Sequence, residues 1–253
     1  MADLVLQFSR VAYERSGRRL LDGVGLSLRA GEAVALVGAN GAGKTTLLRA
    51  AAGLLPATTG DITATGLDPR TAAPAAAARR RIYAEQHPSC AWDQTVAELG
   101  ALGGRPAAWK DWAGRLALTD LAERPLASLS GGERQAAHLA RLFASLEEPY
   151  GALLLLDEPT AALDRGRRET VHAAVRAWAQ AGAAVLVATH DEAWARAFPR
   201  VIALEEGRLI ADGPPAAVFT AGLAQQFLFA AARAGQLPVM PATQPTPRTR
   251  ARR

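Results

Sequence analysis

Near the N-terminus apolar and polar positions alternate. Leu4, Leu6 and Phe8 stand against Val5, Gln7 and Ser9, with Val11 and Tyr13 continuing the pattern, which is the two-residue period of a strand with one buried face. Leu26 and Leu28 alternate with Ser27 and Arg29 in a second strand, and Glu14 to Arg19 reads as the turn between them. Strands this short and this close predict an antiparallel sheet. The pattern then changes. Ala33 to Val37, Leu153 to Leu156 and Ala184 to Ala188 are apolar without alternation, as expected of parallel strands covered on both faces. Helical spacing separates them. Thr45 to Ala52 reads as a helix closed by Gly53; Ala136, Leu139, Ala140, Phe143 and Leu146 share one helical face; Val171, Val175 and Trp178 share another, in a helix that Asp164 caps and Gly182 ends. Strand, helix, strand repeats imply a parallel sheet with right-handed crossovers.

Smaller elements fill the gaps. Asp61 to Ala64 and Ile82 to Ala84 read as short strands, with a helix between them only after Pro74. Val201 to Leu204 and Arg208 to Ala211 form a hairpin, and a last helical stretch follows Pro215 to about Ala234. From Pro88 to about Glu148 the texture is helical, in pieces Thr95–Leu102, Ala107–Leu116 and Ser130–Leu146, jointed at Gly103–Pro106 and Glu123–Pro125. The expected class is α/β: residues 1–87 and 149–222 form a phosphate-binding core with an antiparallel β subdomain, 88–148 form an inserted helical subdomain, and 223–253 form a C-terminal helix and a disordered basic tail.

The candidate chemistry centres on Gly38-Ala39-Asn40-Gly41-Ala42-Gly43-Lys44-Thr45-Thr46, which holds the spacing G-x-x-x-x-G-K-[ST] between a strand and a helix. Successive backbone N–H groups there curl round an anion, and the helix N-terminus favours negative charge. Lys44 reaches the outer phosphates and the Thr45 hydroxyl suits Mg²⁺. The Leu153–Leu156 strand runs into Asp157-Glu158-Pro159, so two carboxylates stand at the carboxyl edge of the sheet, where such folds bind ligands. Asp157 is placed to hold Mg²⁺ through its water shell, with Thr45 as partner. Glu158 is placed to orient or deprotonate an attacking water. Gln86 and His190 also lie at strand ends, His190 as a γ-phosphate contact. Tyr13 is either a stacking platform for a base or a buried strand tyrosine, and spacing alone does not choose.

Leu129-Ser130-Gly131-Gly132-Glu133 opens the third piece of the helical insert. Ser130 and Glu133 satisfy the S-x-x-E capping box. The two glycines weaken a first helical turn by roughly 1 kcal/mol each relative to alanine, so their expected benefit is close approach of backbone to a phosphate at the positive end of the helix dipole.

Composition narrows the function classes. The 253 residues are 49% hydrophobic and 21% charged, enough for a substantial core. The net charge of +5 is carried almost wholly by arginine, and Arg248, Arg250, Arg252 and Arg253 place part of it in the tail. The single cysteine, Cys90, excludes an internal disulfide and fits a reducing compartment. MADLVLQFSR does not read as a signal peptide, and no apolar run approaches the ~20 residues of a membrane span.

Taken together, GANGAGKTT, Gln86, LSGGE, LLLLDEP, Leu163-Asp164 and His190, in that order over about Leu4 to Gly222, resemble the ATP-binding subunit of ABC transporters. The resemblance implies ATP and Mg²⁺ as ligands. It makes Tyr13 the adenine-stacking aromatic, Lys44, Thr45 and Thr46 phosphate and metal contacts, and Gln86 a contact to the metal site that senses the membrane subunit. It makes Glu158 the catalytic glutamate, His190 the switch histidine, and Asp164 a residue crossing a dimer interface. Ser130 and Gly132 would touch ATP held by a second copy of the chain. Implied partners are that second copy, polytopic membrane permease subunits and, through them, a solute-binding protein. The implied place is the cytoplasmic face of the inner (plasma) membrane, with no direct nucleic-acid contact. The segment Leu146–Ala152 and the run Thr95–Gly103 look like those of importers of iron-siderophores, haem and cobalamin. The alternative is the ATPase of another importer or exporter, or an ABC-type ATPase acting on nucleic acid. A single phosphate loop without a long coiled-coil insertion argues against the nucleic-acid reading.

Overall fold

The computed structural model describes residues 3–55, 59–73, 80–88 and 94–219. Strands β1 (Leu4–Arg15) and β2 (Arg18–Arg29) pair antiparallel, and β4 (Thr59–Ala64) joins the other edge of β1, giving the order β2-β1-β4. Both long strands exceed the sequence expectation, and the simple alternation fails at their bulges. The register shifts between Leu4 and Leu6 and again between Phe8 and Val11, where Arg10 has φ 51°. Val5, expected on the polar face, is therefore buried with Leu6, while Leu4 is 42% exposed.

The main sheet holds β3 (Ala33–Val37), β5 (Arg81–Ala84), β6 (Leu153–Asp157), β7 (Ala184–Ala188), β8 (Arg200–Glu205) and β9 (Arg208–Gly213), in the order β5-β6-β7-β3-β8-β9. Its neighbours pair in parallel except β8 and β9, which form the expected hairpin. Every residue of β6 and β7 is buried, as continuous apolar runs require. Alternate side chains serve two cores. Leu153, Leu155, Val34, Leu36 and Leu186 face helix α1 (Lys44–Ala51) and the antiparallel sheet; Leu154, Leu156, Val37, Val185 and Val187 face the other helices.

Those helices are α2 (Val96–Ala101), α3 (Pro106–Arg115), α4 (Gly131–Ser145) and α5 (Arg165–Gln180). Short helical turns at Glu192–Ala195 (α6) and Pro215–Val218 (α7) follow β7 and β9. Thr95 and Ser130 each form a complete capping box, with Glu98 and Glu133. Trp112, Phe143 and Trp178 pack with ring centroids 4.5–5.3 Å apart and bind α3, α4 and α5 into one apolar cluster. The helix expected after Pro74, the helical stretch from Thr220 to Ala234, Cys90 and the basic tail lie outside the described residues. Among the described residues no helix is long and apolar enough to cross a membrane.

His138 sits on α4 with 8% exposure. Burial, with Arg141 and Arg134 nearby, pushes its imidazole from 6.5 down to about 4. Above the ordinary value both folded and unfolded chains carry a neutral ring. Between there and about 4 the unfolded chain takes up a proton that the fold refuses, so stability falls as pH falls through that window. Thermal melts at about pH 7.5 and about pH 5 will show a smaller acid-induced drop in Tm for His138→Gln than for the unsubstituted chain.

Candidate functional site

The phosphate loop spans the gap between the last residue of β3 and the first turn of α1. Its opening glycine is required by the chain itself, because a Cβ on Gly38 would lie 2.3 Å from the Leu204 carbonyl oxygen on β8. Lys44 is 7% exposed, and its ammonium donates to the carbonyls of Gly38 at 2.7 Å and Ala39 at 3.2 Å. Burial lowers its pKa, and the carboxylates of Glu158 and Asp157 oppose that shift. These contacts hold the charge at the mouth of the loop. A cavity of about 430 Å³ opens there, lined by Asn40, Gly41, Gly43, Lys44, Thr45 and Thr46 on one side and by Gln86, Asp157 and Glu158 on the other. Four separate stretches of sequence therefore converge, since Arg18 and Leu20 of β2 complete the wall.

Asp157 ends β6 at 1% exposure. Burial pushes its carboxyl up; the Thr45 hydroxyl and the Lys44 charge pull it back. Its Oδ2 atom is buried without a hydrogen-bond partner. An orphaned buried oxygen costs about 1–3 kcal/mol, and one beside a hydroxyl and a phosphate loop suits a hydrated divalent cation. Glu158 follows with φ 48°, the left-handed region, at 7% exposure. Three contacts hold this backbone. Its N–H donates to Ala188 at 3.0 Å, and its carbonyl accepts from the Ala161 N–H at 3.2 Å and from the Gln135 side-chain amide at 3.0 Å. Its carboxylate Oε2 lies 2.7 Å from His190 Nδ1 and accepts the His190 N–H at 3.3 Å. The histidine side chain is 62% exposed and its ring is turned by that carboxylate.

The LSGGE residues stand apart. None of Leu129 to Glu133 lines the phosphate cavity of the same chain. Ser130 Oγ accepts from the Glu133 N–H at 3.3 Å, and Glu133 accepts from the Ser130 N–H at 2.9 Å and from its hydroxyl at 2.7 Å. The double glycine divides into two cases. A Cβ at Gly132 would come within 2.5 Å of the Ala162 carbonyl oxygen, so this glycine admits the chain's own loop; at Gly131 nothing lies within 4 Å. The side a Cβ would take is thus filled at Gly132 and open at Gly131. Asp164 caps α5 by accepting the Arg167 N–H at 3.0 Å and pairs with its guanidinium at 3.0 Å; that bonding lowers its pKa.

Tyr13 is 8% exposed, opposite Leu21 in the antiparallel sheet, and packs in the apolar cluster of that sheet. The buried-strand alternative describes its position, while Arg18 and Leu20 reach the cavity. Sequence reasoning passed over both of these and Gln135. For Gln135 a signal existed: it lies one turn before Leu139 on the buried face of α4, and an amide on an apolar face needs a partner.

This arrangement matches known proteins. The family model described as ABC transporter matches residues 21–161. The hemin import ATP-binding protein HmuV of Streptomyces coelicolor is 40% identical over 247 residues, covering 90% of this chain and 87% of the relative. The protein of the same name from Bradyrhizobium diazoefficiens is 41% identical over 226 residues, covering 84% of each. Among solved structures, an ATP-binding subunit of an ABC transporter superposes with TM-score 0.78 at 22% identity, over 90% of this chain and 99% of that one. A nucleotide-free ATP-binding cassette gives 0.71 at 20%, over 89% and 95%. With the phosphate loop, the paired carboxylates and the separate LSGGE helix in place, the chain belongs to the ABC transporter family, as one of its ATP-binding, ATP-hydrolysing subunits.

Proposed function

We propose that this chain powers haem import, as two copies that close head to tail around two ATP molecules at the cytoplasmic face of the inner membrane. It would be held there by permease subunits fed by a solute-binding protein. The observation that carries the two-copy reading is the separation of LSGGE from the chain's own phosphate cavity, with Ser130 and Gly131 exposed and the latter's face open. A helix N-terminus so presented is complementary to a phosphate held by another copy. The haem reading rests on relatives named for hemin import at about two-fifths identity.

The loop N–H groups, Lys44 and Thr46 bind the triphosphate. Thr45, Asp157 and Gln86 are the residues that would hold Mg²⁺, which neutralises phosphate charge when bound. Glu158, fixed from behind by His190 Nδ1 at 2.7 Å, orients a water and accepts its proton. Asp164 and the LSGGE helix close the far side in the dimer. Assembly of the pocket from two incomplete halves restricts hydrolysis to the closed state. Closing and parting of the pair would move the permease.

Lys44→Ala should weaken ATP binding by about 100-fold or more, measured by titration calorimetry; near-normal affinity would remove the loop from phosphate binding. Glu158→Gln should lower turnover by ~10²-fold or more and trap an ATP-bound dimer on size-exclusion chromatography. Adding Ser130→Arg to that variant should abolish the dimer while each copy still binds ATP. In vesicles carrying the permease and its solute receptor, haem should raise ATP hydrolysis where cobalamin and ferric siderophores do not; the reverse preference would sink the haem assignment.

A further inference from the structure

We infer that Gln135 is a positioning residue that couples the LSGGE helix of a copy to the catalytic carboxylate of the same copy, so that engagement of the partner's ATP sets the hydrolytic geometry at its own. The inference rests on the two-copy reading above. Gln135 is 5% exposed, on the second turn of the helix that Ser130 caps. Its amide donates 3.0 Å to the carbonyl of Glu158, a contact between residues 23 positions apart in sequence. The carbonyl belongs to the one residue of the site held in left-handed conformation without being glycine, φ 48°. Such a conformation is strained and persists only where surroundings over-determine it. Without the amide, the Ala161 N–H at 3.2 Å is the remaining donor to that oxygen. The peptide then rocks, and the carboxylate rocks with it relative to His190.

The mechanical path is short. Gln135 follows Ser130 by five positions in one unbroken helix, about 7.5 Å of rigid rod. Displacement of the capped end is passed to the amide without loss in a flexible joint. A second contact keeps the two parts in register, since Gly132 admits the Ala162 carbonyl, four residues beyond Glu158. The signature end, the amide and the loop after β6 therefore move as one body. ATP captured by the LSGGE of one copy shifts this body and with it the base that serves the other ATP.

The test uses the purified full chain and two substitutions of similar size, Gln135→Leu and Gln135→Glu. Gln135→Leu should lower kcat by about tenfold or more with KM for ATP within about twofold, because only the reacting geometry is lost. Gln135→Glu faces the carbonyl with an acceptor when ionised and a donor when protonated, and burial raises its pKa. Its kcat relative to the unsubstituted chain should therefore be low at about pH 8 and recover towards about pH 6. Gln135→Leu should show no such recovery, and its kcat loss should come with an unchanged Tm, which a packing role would lower. Retention of kcat within about twofold in Gln135→Leu, or a pH-independent ratio for Gln135→Glu, would overturn the coupling. The two-copy reading is checked separately in the Glu158→Gln background. If the ATP-bound dimer forms there and Gln135 proves indifferent, only the coupling is lost; if no such dimer forms, the two-copy reading falls and the coupling with it.

Discussion

Strand β6 is buried along its whole length, so its end is the point where a buried chain must deliver charge to a cavity. It does so in two consecutive buried residues that are held in different ways. Asp157 stays in the sheet, with one buried oxygen left without a hydrogen-bond partner. Glu158 turns through left-handed backbone and is held at its N–H, its carbonyl and its carboxylate by Ala188, Gln135 and His190. Ala188 and His190 lie at the carboxyl end of β7, and Gln135 lies on α4. The helical insert and the carboxyl edge of β7 thus bear on one residue, and disturbing either disturbs its geometry.

The same economy of placement explains the glycines. In a loop that cradles phosphate, the usual argument for glycine is approach to the ligand. Here Gly38 and Gly132 each face a carbonyl of the chain itself, at distances no Cβ tolerates. At both positions the chain is packed first against its own fold, and in the phosphate loop the cavity is lined by the surface left over. Precise support behind a binding loop keeps its N–H groups fixed without a ligand present, which is the condition for electrostatic preorganisation.

The helical insert is also more firmly joined to the core than a separate subdomain would be. The aromatic contacts of Trp112, Phe143 and Trp178 and the buried faces of β6 and β7 belong to one apolar cluster. Arg167 adds polar links, donating to the carbonyls of Leu116 and Ala117 while pairing with Asp164. Movement of the insert is therefore felt at the start of α5, beside the loop that follows Asp157 and Glu158.

Local sequence determined the parts whose physics is local: the phosphate loop by its glycine spacing, the parallel strands by apolar runs too continuous for one exposed face, and the caps at Thr95, Ser130 and Asp164 by a side chain within reach of its own first turn. It also placed Asp157, Glu158 and His190 at strand ends, because strand termini can be read from where apolar runs stop. Tertiary structure alone decided the rest. The bulges of β1 buried Val5 and extended both strands, since register depends on a partner strand. Tyr13 went into a core while Arg18 and Leu20 came to the cavity, since that choice depends on how two sheets stack. The left-handed turn at Glu158 and its tie to Gln135 join residues 23 positions apart, and no pattern within either segment contains the other's carbonyl or amide.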